Sequence, residues 1–498
     1  MSFKGYCRLM RRTGILLHPS SLATAYGIGD LGPAAYRFAE YLNQEGHSLW
    51  QMLPLNHCGY GNSPYNPVSA FAFSPYLISP ELLFEQGLIN QKDLHLAELP
   101  DSSTVFYESV YKAKDKLLRK AADQWLLHHD PDEVPAWQQG LLKPYLAFQM
   151  LSRLYDDNSW YKWNEEHRHY SHELFDWLWH RYMPEMKRVL ACQGMFMEQL
   201  KSLKDYLAER SISLVGDLPL YLSYESAEVW AHQYFFDLDE RGNRLHLAGV
   251  PPDAFSPDGQ LWGNPIYRWD VLCNHGFELF MQRIGQALDI YDFLRLDHFI
   301  GYVNYWEVPG QFAADGAPIL PKTAMEGAWM PAKPHEFFST LLGRFAKERF
   351  IAEDLGILNP EVCNIRDSFG FPGMIVLQFC FEESIPQVQN YPPNRWLYTG
   401  THDNSTLQGW FESLPPDSPS IKHLKDYCAF YRPRDCTDKL NAHNIHALMR
   451  KIALSSACET VIVPMQDILG LGETARMNTP GTALGNWQWR MSTKDWEL

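Results

Sequence analysis

The sequence predicts an α/β fold, a (β/α)₈ TIM barrel with large, mostly helical insertions at the rim where its strands end. Three observations lead to this prediction. The chain contains eight short apolar runs suited to buried β-strands, and amphipathic helical patterns lie between several of them. The runs also end in polar or charged residues, and barrel enzymes carry their active sites at the carboxyl ends of their strands.

The eight predicted strands follow one another along most of the chain. They are residues 14–18, 48–55, 211–215, 291–296, 350–352, 374–379, 396–401 and 460–465. Nearly continuous apolar character indicates burial on both faces, as in a parallel sheet covered by helices. An open, doubly wound sheet is the alternative architecture for the same pattern.

Helical spacing of apolar residues recurs between the first four strands, at 34–43, 195–209 and 277–287. The gap between the second and third strands is too long for a loop. It carries four more helical patterns, which are 83–96, 110–128, 142–155 and 175–190. We therefore predict a catalytic barrel from residues 1–57 and 205–498 and a mostly helical insertion over 58–204.

Composition restricts the function classes. Lys and Arg number 43 against 59 Asp and Glu, which gives a net charge of −16. This balance lacks the clustered positive charge that binds phosphates, so we expect no nucleic-acid partner and no anionic membrane surface. No run of about 18 apolar residues occurs, and no signal sequence is evident, so we predict a cytoplasmic protein. A neutral substrate such as a sugar fits this charge.

The cysteines and two short motifs point away from other site types. The nine cysteines contain no C-x-x-C pair, so we predict neither a disulfide framework nor a zinc site, and expect reduced thiols. Residues 27–32 match G-x-G-x-x-G, but no strand directly precedes them, so we interpret them as a tight loop. Residues 237–242 begin like a calcium loop, yet Arg241 and Ala248 stand at ligand positions, and a hairpin turn is favoured.

The fourth strand ends in Arg295-Leu296-Asp297-His298. Residues two apart in a strand share a face, so Arg295 and Asp297 should point together into the end of the barrel. A neighbouring guanidinium favours an ionised carboxylate, so we expect a lowered pKa for Asp297, which suits a nucleophile. An internal salt bridge without a catalytic role is the alternative.

The fifth strand ends in Glu353-Asp354, and the seventh in His402-Asp403. Only one of two neighbouring residues can face inward. If Glu353 lies in a partly desolvated cleft, its pKa rises, which suits a general acid. The alternative is that both residues cap the following segment. Asp403 is a third carboxylate that could hold sugar hydroxyls, and paired carboxylates of this kind serve glycoside chemistry.

Eleven segments in order along nearly the whole chain carry a family resemblance. They are 18–22, 26–32, 61–65 (GNSPY), 216–219 (GDLP), 249–256 with 259–265, 295–299 (RLDHF), 352–356 (AEDLG), 400–404 (GTHDN), 476–481 (RMNTPG) and 486–490 (NWQWR). Together these segments resemble the amylomaltase (4-α-glucanotransferase) family, relatives of the α-amylases.

The resemblance implies roles for individual residues. Asp297 would be the nucleophile, Glu353 the acid/base, and Asp403 the residue that holds the hydroxyls of the distorted sugar. The other implied sugar contacts are Ser63, Tyr65, Asp217, Arg295, His298 and His402 in the donor site, Asp253, Trp262 and Asn264 on or beside a lid loop, and Tyr60 in an outer patch. The implied partners are α-1,4-glucan and maltooligosaccharide donors and acceptors, with no metal and no organic cofactor.

The resemblance also implies transfer of glucan segments rather than hydrolysis. Transfer requires a sugar hydroxyl to outcompete water, and a hinged lid over residues 249–264 would exclude water. Three other functions stay open from the residues alone. They are an α-glucan hydrolase with the same carboxylates, a non-catalytic glycan-binding protein and a nucleotide-dependent oxidoreductase.

Overall fold

A computed structural model of the chain describes residues 11–252, 256–313, 318–356, 359–431, 440–482 and 484–496. Its main sheet has eight strands, and each of them lies in one of the eight predicted runs. The strands are Arg12–Leu16, Leu49–Gln51, Ser213–Leu218, Phe293–Leu296, Phe350–Ala352, Met374–Val376, Trp396–Tyr398 and Thr460–Pro464. We number them from one to eight as barrel strands.

The barrel strands pair in chain order. Each described strand pair in this sheet is parallel, and the order runs five, four, three, two, one, eight, seven, six. Strands five and six, at the two edges, are joined by a backbone hydrogen bond of 2.8 Å from Ala352 N–H to the Pro372 carbonyl. This order and this closure confirm the barrel, and the open doubly wound sheet is wrong.

Glycine permits close packing just below the rim of the third barrel strand. A Cβ at Gly216 would overlap the ring of Tyr291, which is buried behind this strand. The strand can therefore approach Tyr291 only without a side chain at this position. The neighbouring residue, Asp217, faces the opposite side, toward the site described below.

Helices alternate with the barrel strands. The longer ones are Pro33–Gln44, His172–Glu209, Glu278–Ile290, Pro334–Arg344, Pro360–Phe369, Pro419–Tyr431 and Ile445–Ser455. The sixth strand is shorter than predicted, because a helix, Leu377–Glu383, begins directly after Val376. Leu377 and Phe381 lie four residues apart and are both fully buried, so the apolar run serves a helix face instead of a longer strand.

Between barrel strands two and three the described elements are helical. They include Pro80–Glu85, Gln91–Leu96, Tyr107–Trp125, Pro135–Gln138 and Lys143–Tyr155. The single helix predicted over 83–96 is two helices, and Gly87 adopts a left-handed φ of 73° between them. The patterns at 175–190 and 195–209 belong to the one helix His172–Glu209, which kinks at Tyr182, two residues before Pro184. The division into two domains stays a prediction.

A second, antiparallel sheet lies beside the barrel. Its four strands, in spatial order, are Ala328–Pro331, Asn304–Pro309, His246–Val250 and Gln260–Pro265. The predicted lid loop over 249–264 is therefore wrong in its secondary structure, since both of its ends are strands paired with each other. Its residues 253–255, which include Asp253, lie outside the described residues.

Two further findings bear on the sequence predictions. In the described part of the chain, no helix is long and apolar enough to cross a membrane. Six of the described cysteines are free, but Cys428 is disulfide-bonded. The expectation that all thiols are reduced is therefore wrong at Cys428, where the spacing of cysteines in the sequence gave no sign of a pair.

Candidate active site

Two carboxylates share one guanidinium at the ends of the third and fourth barrel strands. Arg295 Nη1 donates to Asp217 Oδ1 at 2.9 Å and Oδ2 at 2.7 Å, and to Asp297 Oδ1 at 2.9 Å. The Asp217 side chain is fully buried, whereas that of Asp297 is 24% exposed. Arg295 and Asp297 therefore point together, as the alternation of the strand requires, and only Asp297 reaches the cleft.

The electrostatics of this group differ from the expectation. Burial raises the pKa of Asp297 well above its ordinary value, while Arg295 lowers it by a smaller amount. The predicted direction, a lowered pKa for Asp297, is therefore wrong. The physical reason is first the burial of this carboxyl group, which outweighs the effect of Arg295, and second the negative charge of Asp217, which also raises the pKa of Asp297. The pKa of Arg295 is raised by both carboxylates.

Glu353 follows the fifth barrel strand and reaches the residue beside Asp297. Its Oε2 accepts a 2.7 Å hydrogen bond from the backbone N–H of His298. His298 can present this N–H because it adopts a left-handed φ of 49°, an uncommon conformation for a non-glycine residue. Burial raises the pKa of Glu353 to about 7, although Arg295 and this hydrogen bond act to lower it. Glu353 thus has the raised pKa expected from the sequence.

Asp354, the neighbour of Glu353, points away from the cleft and joins the fifth and sixth strands. Its carboxylate pairs with Arg366 and, at 3.0 Å, with Arg395, and it accepts the Met374 N–H at 2.6 Å. The bond from Met374 ties the fifth strand to the sixth where the barrel closes, and the two arginines neutralise the buried carboxylate. The alternative that both acids cap the following segment is wrong, because Glu353 faces inward and Asp354 is held by arginines.

Asp403 lies on the loop after the seventh strand. Its Oδ1 accepts from Asn478 Nδ2 at 2.6 Å, and its Oδ2 lies 3.4 Å from His402 Nε2. Arg476 Nη2 donates to the Asp403 backbone carbonyl at 2.7 Å. Burial lowers the pKa of His402, which favours the neutral ring. Asp403 is thus oriented by residues of the segment that follows the eighth strand.

Tyr65 connects the Asp217 side of the cleft with the Asp403 side. Its hydroxyl donates to Asp217 Oδ2 at 2.7 Å, and its ring stacks on His402 with centroids 5.1 Å apart at 11°. The Tyr65 N–H donates to Ser63 Oγ at 3.2 Å, which shapes the turn. Trp487 packs against both rings, 5.7 Å from Tyr65 and 5.9 Å from His402.

Trp262 stands over the other side of the cleft. Its ring meets His298 edge to face at 4.7 Å, and 39% of this tryptophan is exposed. Asn264 does not point into open space, because its Nδ2 donates to the Leu222 carbonyl at 2.9 Å. Tyr60 begins the 3₁₀ helix Tyr60–Asn62 on the loop that leads to Tyr65.

Several residues at the site were not assigned from the sequence. Asn478, Arg476 and Trp487 lie in segments that carried the family resemblance, but no strand or helix period marked them as site residues. Their approach to Asp403 and Tyr65 depends on how the segment after the eighth strand folds back over the rim. The one signal in the sequence that could have marked this segment as part of the site was the presence of a polar residue shortly after the last predicted strand.

The three carboxyl groups can serve proton transfer and nucleophilic attack. Glu353 has a pKa near neutrality, Asp297 lies in the cleft beside a guanidinium, and Asp403 is 42% exposed. Among the described residues, no group of three or more His, Cys, Asp or Glu side chains is arranged to hold a metal ion. The absence of a metal or organic cofactor stays a prediction.

Comparison with known proteins gives consistent matches over nearly the whole chain. The family model described as 4-alpha-glucanotransferase matches residues 17–494. A 4-alpha-glucanotransferase from Aquifex aeolicus (strain VF5) is 40% identical over 491 residues, covering 97% of this chain and 96% of that protein. An amylomaltase from Streptococcus agalactiae, solved in complex with acarbose, has a TM-score of 0.88 and 32% identity over 97% of this chain and 96% of that one. An amylomaltase from Corynebacterium glutamicum has a TM-score of 0.72 at 17% identity, over 97% and 72% of the chains, and so bears on the fold alone.

Proposed function

This chain belongs to the 4-alpha-glucanotransferase family, and from that premise we propose that it transfers α-1,4-glucan segments by a retaining double displacement in which Asp297 is the nucleophile. Glu353 is the acid/base and Asp403 stabilises the transition state. The observation that carries the proposal is the hydrogen bond from His298 N–H to Glu353 Oε2. It holds the acid/base beside the residue that directly follows the nucleophile.

In the first displacement, Glu353 gives its proton to the glycosidic oxygen as the bond from that oxygen to the anomeric carbon breaks. An Asp297 carboxylate oxygen attacks the same carbon and forms a covalent glycosyl ester. A pKa near 7 keeps a large fraction of Glu353 protonated at neutral pH, which this step requires. Arg295 stabilises the carboxylate form of Asp297, which must be ionised to attack.

In the second displacement, the 4-hydroxyl of an acceptor glucan attacks the anomeric carbon. Glu353 takes the proton of that hydroxyl while the bond to Asp297 breaks, so both carboxyl groups return to their starting states. Asp403 binds hydroxyls of the sugar whose ring flattens in both transition states. Its orientation by Asn478 prepares it for this role before substrate arrives.

Around these groups, we also propose sugar contacts for residues that the family resemblance implies. They are Ser63, Tyr65, Arg295, His298 and His402 for the donor sugar, and Asp253, Trp262, Asn264 and Tyr60 for sugars farther out. Trp262 supports the preference for transfer, because its exposed ring offers an apolar face to an acceptor sugar beside His298. Asp217 is buried under Tyr65 and acts through Arg295.

The decisive experiment supplies maltotriose as both donor and acceptor. Transfer yields glucose together with maltooligosaccharides longer than the substrate, and Asp297→Asn loses both products. Glucose and maltose with nothing longer would indicate the hydrolase instead. An Asp297→Asn variant that keeps wild-type activity would contradict the assigned nucleophile. The cytoplasmic location and the lack of nucleic-acid partners stay predictions from the sequence.

A further inference from the structure

The loop that carries Asp403 is fixed at both ends by one buried carboxylate. This loop, defined here as residues 399–407, runs from the end of the seventh barrel strand to the first residue of the helix Leu407–Ser413. Thr399 Oγ1 donates to Asp467 Oδ2 at 2.9 Å, and Leu407 N–H donates to Asp467 Oδ1 at 2.8 Å. Each carboxylate oxygen therefore holds one end of the loop.

Asp467 is itself held rigidly. It lies on the short helix Met465–Ile468, directly after the eighth barrel strand, and it is 2% exposed. That strand pairs with the seventh, and Thr399 N–H donates to the Ile462 carbonyl at 3.3 Å. The two hydrogen bonds of Asp467 thus fix the position of the loop relative to the barrel strands.

The ends of the loop and its middle differ in solvent exposure. Thr399 and Leu407 are fully buried, whereas the Asp403 side chain is 42% exposed to the cleft. Local bonds then set the path between them, since Asn404 Oδ1 accepts from both the N–H and the hydroxyl of Thr401 at 2.8 Å. Because Asp467 fixes the two ends of the loop and Asn404 holds its middle through Thr401, the loop presents Asp403 in one position.

We propose that Asp467 is a positioning residue for Asp403, acting through its hydrogen bonds to Thr399 and Leu407. The inference rests on the proposed role of Asp403 in the transition state. Asp467 touches no substrate, since its side chain is buried and both of its oxygens are occupied by the loop. Loss of the two bonds lets the loop ends shift, and a misplacement of about 1 Å can cost about 10²-fold in rate.

Two substitutions at Asp467 separate the effect of its hydrogen bonds from the effect of its charge. Asp467→Leu keeps the branched shape of the side chain, with larger methyl groups in place of the oxygens, and removes both acceptors. Asp467→Asn restores both contacts, because its oxygen accepts the Leu407 N–H and its amide donates to the Thr399 hydroxyl, which can accept. We expect kcat to fall about 10²-fold in Asp467→Leu with little change in KM, and to stay within about tenfold of wild type in Asp467→Asn.

A double-mutant cycle with Asp403→Asn tests whether the effect passes through Asp403. Rates are measured on maltotriosyl fluoride, whose good leaving group keeps weak variants measurable, and folding is checked by circular dichroism. When Asp403 is already replaced by Asn, adding Asp467→Leu should lower kcat by less than about threefold. The reason is that the effects of residues that act as a unit are not additive. A full additional loss would overturn the inference, as would an Asp467→Asn variant as weak as Asp467→Leu.

Thr399→Val provides a second test if Asp467→Leu fails to fold. Valine keeps the shape of threonine and removes the hydroxyl donor alone, so we expect about a tenfold loss of kcat that disappears in the Asp403→Asn background. Unchanged kcat in Thr399→Val, or a loss that persists in that background, would overturn the positioning role. If Asp403→Asn alone is as active as wild type, the proposed function of Asp403 fails instead, which is a distinguishable result.

Discussion

Glu353 Oε2 lies 2.7 Å from the backbone nitrogen of His298, so the acid/base is bonded to the main chain beside Asp297. Because that N–H comes from the backbone, its geometry depends on the left-handed φ of His298. The contact joins the ends of the fourth and fifth barrel strands, which are neighbours in the sheet. It favours the ionised carboxylate, and yet burial still raises the pKa of Glu353 to about 7.

The pH dependence of transfer follows from these pKa values. Glu353 must be protonated in the first displacement, so we expect kcat/KM to fall as pH rises through about 7. Asp297 must be ionised, and its pKa is raised, so the acidic limb should lie above the ordinary Asp value of about 4. Initial rates on maltotriose from pH 4 to 10 give the profile.

A donor with a leaving group that needs no proton supplies the control for this profile. On maltotriosyl fluoride, Glu353→Gln should keep measurable formation of the glycosyl-enzyme and should show no alkaline limb in that step. Wild type that stays fully active on maltotriose well above pH 8 would contradict the assignment of Glu353 as the acid.

The hydroxyl and the ring of Tyr65 contribute separately. Tyr65→Phe removes the hydrogen bond to Asp217 and keeps the stacking on His402, so we expect kcat/KM to fall about tenfold. Tyr65→Ala loses both contacts and should fall about 10²-fold. Steady-state kinetics on maltotriose measure both variants.

Tyr155→Phe is the matched control for the hydroxyl. The Tyr155 hydroxyl bonds His167 Nδ1 at 2.7 Å and accepts a longer bond, 3.3 Å, from the Asn164 N–H, so its loss removes comparable hydrogen bonding away from the cleft. Its kcat/KM should equal that of wild type. Equal losses in Tyr65→Phe and Tyr155→Phe would mean that Tyr65 has no special role in the site.

Some of the site could be predicted because local rules decide it. The period of two in a strand puts Arg295 and Asp297 on one face, and adjacency forces Glu353 and Asp354 to opposite sides. Both predictions are confirmed by the contacts of these four residues. Rules of this kind need no knowledge of distant parts of the chain.

Other features depend on contacts between segments far apart in sequence. The pKa of Asp297 is raised mainly by burial and further by the charge of Asp217 on another strand, and no local pattern in the sequence indicates either effect. Trp487 reaches Tyr65 from more than 400 residues away along the chain. The strands inside the predicted lid loop form because 249–264 pairs with itself and with Asn304–Pro309. Tertiary packing, not local propensity, decides these cases.

The ratio of transfer to hydrolysis should depend on Trp262. Trp262→Ala removes the ring that meets His298 and offers an apolar surface to an acceptor, so we expect the ratio to fall about tenfold. The free energy of unfolding should fall by only about 1 kcal/mol, because the ring is partly exposed and its main packing is on His298. Product ladders from maltotriose, compared with total reducing ends, give the ratio.

Trp329 offers a matched control on the same antiparallel sheet. It is 43% exposed and packs edge to face on Trp306, the neighbouring residue on the paired strand. Trp329→Ala should leave the transfer ratio unchanged. A similar fall in both variants would show that loss of any exposed tryptophan from this sheet alters the ratio, and the proposed role of Trp262 would fail.

Closure of the barrel behind Glu353 depends on the absence of a side chain at Gly373. A Cβ at this position would overlap both Arg395 Nη1 and the Asp354 carboxylate, which pair with each other beside the start of the sixth strand. We expect Gly373→Ala to lower the free energy of unfolding by about 1–3 kcal/mol. It should also reduce kcat, because Asp354 adjoins Glu353 and any shift of one displaces the other.

Gly343→Ala tests whether this cost is specific to the position. Gly343 lies near the end of the helix Pro334–Arg344, and a Cβ there would meet no atom within 4 Å. Alanine should therefore stabilise the protein by about 0.5–1 kcal/mol and leave kcat unchanged. Opposite signs for the two substitutions in denaturant unfolding would locate the effect at the Asp354 ion pair. Equal signs would mean that overlap with Arg395 and Asp354 is relieved at little cost, and that the ion pair does not constrain Glu353.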